Sequence, residues 1–147
     1  DLHVRSRRQR QMCIRDRVHV DQHKDTREPE NYNVDIDNID DVFRYTNETL
    51  NVGSFIKPAL KHDIFSEVII IDSSYGFNLD IEGEYVLDID LDIFSKDMDY
   101  IPYDLKVSKI KDLIKKAKVI TIASSPFFIE QDYAIKELKE LFNYDII

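Results

Sequence analysis

The 147-residue chain is 43% hydrophobic with only 3 Gly and 4 Pro, which excludes a collagenous or low-complexity polymer and predicts one compact domain. Its 29 acidic and 20 basic side chains leave a net charge of -9, the wrong sign for nucleic acid or an anionic membrane, and no apolar run reaches the roughly 20 residues of a bilayer span. A single cysteine, Cys13, excludes an internal disulfide framework and a thiolate zinc finger, so any metal must be held by oxygen and imidazole, and a cytoplasmic location is expected.

The first 17 residues break with the rest: they hold six Arg and two Asp, whereas the remainder is acidic and poor in Arg. The stretch Arg7 to Asp16, RRQRQMCIRD, resembles codon by codon a translated transposon-type sequencing adaptor, with Arg17 completing its last bases. Residues 1–17 are therefore expected to be an artefact without stable packing, and 18–147 to be a partial domain whose upstream part is missing.

From Val18 onward, short β-branched runs alternate with helical periodicities, the pattern of an α/β domain with a mostly parallel sheet. Val18 and Val20 predict the end of a strand. Residues 28–41, with Pro29 and an Asn/Asp cluster, predict a long loop. Thr46 to Lys61 shows helical spacing at Leu50, Phe55, Ile56, Ala59 and Leu60, with a kink at Pro58. Val68 to Ile71 predicts a strand covered on both faces, and Tyr85 to Leu91 a second one ending in acids. Val107, Ile110, Leu113, Ile114 and Ala117 predict an amphipathic helix whose lysines, at 106, 109, 111, 115, 116 and 118, form a solvated face. A strand over Val119 to Ala123 and a helix carrying Ala134, Ile135, Leu138, Leu141 and Phe142 follow, with Phe127 and Phe128 between them expected to pack in the core, contact with a ligand being the alternative.

Two acidic clusters stand out. Asp21-Gln22-His23-Lys24-Asp25 has the pattern D-x-H-x-D; in an extended segment residues i, i+2 and i+4 project to one side, presenting two carboxylates and an imidazole, a set of hard-metal ligands. Asp88, Asp90 and Asp92 share one face of an otherwise apolar strand, an arrangement that is costly without a cation because adjacent carboxylates resist joint ionisation. An EF-hand is excluded, since Ile93 stands at the loop's sixth position where Gly is required. Both clusters lie at predicted carboxyl ends of strands, where open parallel α/β sheets gather their ligands. They supply enough donors for two metals and predict hydrolysis at a planar carbon.

The series VHVDQHKD, NVGSFIKPAL, YVLDIDLDIFS and ITIASSPFFIEQDYAIKELKEL resembles the arginase/deacetylase superfamily of metallohydrolases, and within it the protein family that includes peptide arginases. The resemblance covers nearly all of residues 18–142 and implies a three-layer α/β/α fold of arginase type, truncated at its N-terminus. It implies two divalent ions, manganese first and zinc or iron otherwise, with Asp21 and Asp88 bridging them and His23, Asp25 and Asp90 as terminal ligands. His19, at i−2 from Asp21, and Asp92 would stand beside the ligands, and Glu130 would grip a guanidinium or else cap a helix. The implied substrate is a small molecule or peptide bearing a guanidino group, with arginine converted to ornithine. Arginases carry a further histidine ligand upstream of the first motif, where this chain has the adaptor-like segment, and the proton-shuttle histidine has no counterpart, because His62 sits near a helix end. The chain is accordingly expected to hold at most one ion tightly and to be nearly inactive. Two other readings use part of the pattern: VLDIDLD resembles the haloacid-dehalogenase phosphatase signature, with Asp88 as nucleophile, Asp90 as general acid and Thr121 or Ser124 binding phosphate, and a non-catalytic binding module would keep the fold alone.

Overall fold

The computed structural model describes residues 16–143. Four strands, β1 (Asp16–Val20), β2 (Glu67–Ile71), β3 (Tyr85–Asp90) and β4 (Val119–Ala123), form one all-parallel sheet in the order β2-β1-β3-β4. The connections carry α1 (Ile39–Glu48), α2 (Ile56–Lys61), the short α3 (Ser74–Phe77), α4 (Tyr103–Lys116) and α5 (Gln131–Phe142). The domain is thus α/β with helices between parallel strands, as the alternating periodicities predict.

Register decides which residues meet. Val18 lies opposite Ile69 and Leu87, and Val20 opposite Ile71 and Ile89; these apolar side chains build the core with Ile110 and Leu113 of α4 and Ala134 and Leu141 of α5. The alternate row points the other way, and there His19 pairs with Asp88, which pairs with Thr121. A single strand period therefore separates an apolar face from a polar one. The sheet ends at Asp90 on β3 and Ala123 on β4, so both chains leave the sheet at the same edge.

Several elements differ from the sequence reading. Strand β1 begins at Asp16, and Arg17 pairs with Val68 and Val86, so these two residues of the adaptor-like segment are part of the sheet; residues 1–15 lie outside the described residues. Arg17 is held because its guanidinium lies over the rings of Phe55 and Phe65, 4.9 and 5.4 Å from their centroids, and ion-pairs with Asp88. The single helix expected over 46–61 is instead two. Helix α1 starts inside the expected loop because the Asn38 side chain accepts hydrogen bonds from the backbone N–H groups of Asp40 and Asp41. It stops at Thr49, where Asn51 and Ser54 turn the chain. Pro58 does not kink a helix, since it occupies the first turn of α2, where the missing N–H is of no consequence.

Among the described residues β2 and β4 are the edges of the sheet, in keeping with β2 being only half-covered and with Val119 and Ile122 of β4 being exposed. Gly76 allows α3 to sit against β2: a Cβ there would lie 2.9 Å from the Ile71 Cα. The lysine face of α4 is not uniformly solvated. Lys106 is only 2% exposed, and its ammonium donates to the carbonyls of Ile93 and Met98 at 3.3 and 3.1 Å, clamping the turn after β3. Burial holds its pKa below the usual lysine range.

Candidate metal centre

Three neighbouring strands assemble the floor of the site. His19 Nδ1 lies 2.8 Å from Asp88 Oδ2, and Thr121 Oγ1 donates to Asp88 Oδ1 at 2.5 Å. With Arg17 paired to it as well, Asp88 has both oxygens engaged. Burial works against its charge, but the hydrogen bonds from His19 and Thr121 and the Arg17 charge prevail and hold it well below the usual carboxylate range. The consequence falls on His19, whose Nδ1 faces a fixed anion. Its Nε2 is thereby aimed at Asp21 and Asp25, 3.1 and 3.7 Å away.

The acids reach that nitrogen through a turn and not through an extended segment. Asp21 Oδ1 accepts the backbone N–H of His23 at 2.6 Å, which bends the chain as β1 ends, and Asp25 adopts a left-handed conformation with φ 51°. Asp25 is thus folded back beside His19, and His23 is swung towards β3. Asp92 arrives in a similar way. The strand stops at Asp90, whose carboxylate accepts the Asp92 N–H at 3.2 Å and opens a 3-10 turn over Leu91–Phe94. In that turn Asp92 is fully buried, accepts the Gln22 N–H at 3.1 Å, and places Oδ2 3.0 Å from His23 Nδ1.

Two three-donor groups result, His19–Asp21–Asp25 and Asp21–His23–Asp92, with the donor atoms of each within 4.8 Å of one another. Asp21 belongs to both. Of the residues expected as ligands, Asp21, His23 and Asp25 are in these groups. His19 and Asp92, expected beside the ligands, are donors in them, whereas Asp88 and Asp90 are not. Asp88 orients His19 instead, and Asp90 lines the cavity with its carboxylate hydrogen-bonded by the Ser125 hydroxyl. Glu130 is exposed and caps α5 by accepting the Asp132 N–H at 3.0 Å; it does not line the cavity. His62 contacts the Tyr32 carbonyl at 3.0 Å and lies outside the cavity lining too.

The electrostatics carry the mark of crowded acids. Burial disfavours the charged form of His19, yet the neighbouring Asp21 and Asp88 carboxylates push it up to about 9. Burial and the neighbouring Asp21 charge raise Asp25 to about 6, and burial with the Asp90 charge raises Asp92 to about 7. Asp21 goes the other way: although burial opposes it, the adjacent His19 imidazolium and the His23 N–H hold its carboxyl below the usual range. Three buried side-chain atoms among the described residues make no hydrogen bond: Arg17 Nε, His19 Nε2 and Asp92 Oδ2, the last two with charged neighbours within 3.1 Å. Such atoms are expensive to leave unsatisfied, and those of His19 and Asp92 belong to different three-donor groups. Carboxylate and imidazole donors in this arrangement fit divalent first-row metals.

Above this floor opens a cavity of about 900 Å³. Phe127 and Phe128, expected in the core, stand at its mouth instead, 95% and 54% exposed. They lie on the loop that follows β4, the last strand in the sheet order, and that turns at Ser125, φ 39°. Asp88, the nucleophile of the phosphatase reading, has both its oxygens hydrogen-bonded, to His19 and Thr121. No family model matches the chain, and neither a curated protein nor a solved structure matches it.

Proposed function

We propose that this domain carries the two-ion centre of a metal-dependent hydrolase that cleaves a C–N bond at a planar carbon, with a guanidino group as the substrate's reacting part. The observation that carries the reading is the pair of buried, unbonded donor atoms, His19 Nε2 and Asp92 Oδ2, on either side of the shared Asp21. His19, Asp21 and Asp25 would hold one ion and Asp21, His23 and Asp92 the other, with manganese the first choice among divalent metals. When bound, such ions supply Lewis acidity, polarising the group under attack and making water acidic near neutral pH.

The chain's own residues have separate tasks. Asp88 fixes the His19 ring so that Nε2 faces the site, the carboxylate–histidine pairing that orients metal ligands in general. Asp90, whose pKa is raised by burial, faces the cavity and can hold a proton on its carboxyl or, when ionised, accept a hydrogen bond from a guanidinium N–H. The guanidino assignment rests on the resemblance of D-x-H-x-D and the acidic strand end to arginase-type hydrolases and on the anionic floor. His19 supplies the imidazole that the sequence reading seeks upstream, so the chain itself can be assayed. Loaded with manganese, it should release urea from arginine or an arginyl peptide, and His19→Ala should abolish the release. Two bound ions without urea from either substrate would overturn the guanidino assignment, and an acylated amine would become the substrate to test.

A further inference from the structure

The loop after β4 spends conformational energy on displaying two aromatic rings. Ser125 is held at φ 39°, a region that costs a non-glycine residue, and its hydroxyl bonds Asp90. The Ser125 carbonyl accepts the N–H groups of Phe128 and Ile129 at 3.0 and 3.2 Å, and Ile129 is buried in the core. The loop is therefore anchored at both ends, and what lies between is pushed into solvent. Phe127 gains no burial from folding, and Phe128 is half-exposed with its ring 4.5 Å from that of His23. Val52, 89% exposed, and Phe55, which packs edge-on to His19, line the same cavity. An apolar mouth thus stands directly above a floor of carboxylates and imidazoles.

We propose that Phe127 and Phe128 form an aromatic clamp that binds an apolar, ring-bearing part of the substrate next to the polar head that reaches the metal centre. The proposal rests on the metal-centre reading and adds the class of substrate: a molecule with a hydrophobic body, larger than a free amino acid. A cavity of about 900 Å³ supports this, since pockets of roughly 300–1,000 Å³ take drug-sized ligands and a head group alone leaves most of it unfilled. Aromatic rings arranged face or edge to a ligand ring add to the gain from burying its area. Ser125 also ties the clamp to Asp90, so the rings are placed by the same acidic strand end that builds the floor.

Two hydroxamates that chelate divalent metal through the same head test the clamp: acetohydroxamate, with no body, and benzohydroxamate, with a ring. Calorimetry on the manganese-loaded chain should show benzohydroxamate binding about tenfold tighter. Phe127→Ala together with Phe128→Ala should remove that preference while leaving acetohydroxamate affinity and manganese stoichiometry unchanged. Phe128→Tyr should retain it. Equal affinities for the two probes in the parent chain, or a preference that survives the double substitution, would overturn the clamp and leave the metal centre standing. A chain that binds no manganese would overturn the metal-centre reading, and the clamp with it.

Discussion

Asp21→Asn should cost the chain both ions at once, whereas Asp88→Asn should weaken only the ion held by His19. Asp21 is the one residue common to both three-donor groups, and a neutral amide bridges two cations poorly. Asp88 touches no donor but His19, and losing an outer partner of this kind weakens metal affinity by roughly 10–100-fold. Asp21→Asn should exceed that loss at both positions. The metal-free proteins provide the control. Removing the Asp21 charge relieves repulsion on Asp25 and Asp92 but takes away the partner of charged His19, so the metal-free variant should still fold and melt somewhat below the parent. Metal titration followed by calorimetry, with melting in chelator alongside, checks both statements. Loss of one ion only on Asp21→Asn would show that the groups do not share it.

The second large effect is on pH. Asp25 and Asp92 titrate in the folded chain at about 6 and about 7, above the 3.8 of an unperturbed Asp. In the metal-free protein the folded state therefore binds more protons than the unfolded one between about pH 4 and 7, and stability should fall as pH rises through that window. His19, raised from 6.5 to about 9, adds stability that is fully present below 6.5 and is lost as pH rises through 9. Metal reverses the trend, because its ligands must be deprotonated and binding expels those protons. Melting temperatures in chelator should thus fall between pH 5 and 8, while those in saturating manganese should rise. Manganese affinity that does not change across this range would contradict the assignment of these groups as ligands.

Much of the scaffold is legible in the sequence because it depends on local periodicity. The strands over Tyr85 and Val119 and the helices around Ile110 and Leu138 follow from apolar spacing alone, and the parallel sheet follows from their alternation. Sheet position is not local. Nothing in Val119 to Ala123 says that the strand lies at an edge, so the exposure of Ile122 and the outward turn that displays Phe127 are invisible before the strand order is known. The same holds for Lys106, whose partners are carbonyls 8 and 13 residues away in a turn. At the site, D-x-H-x-D identified Asp21, His23 and Asp25 as neighbours, but through extended geometry where the chain uses a turn closed by Asp21 and a left-handed Asp25. The roles of His19 and Asp88 depend on register: only the alignment of β1 with β3 shows that the two side chains meet. The available signal is the i−2 spacing of His19 from Asp21, which puts both on one side of the chain as β1 ends.

The most direct test is a manganese titration of the chain read by electron paramagnetic resonance. Two ions bound through a common carboxylate should appear as an exchange-coupled pair, at a stoichiometry of two per chain and with the coupling lost on Asp21→Asn. Binding of no manganese, or of two ions with independent, uncoupled signals, would contradict the claim that Asp21 joins two metal sites.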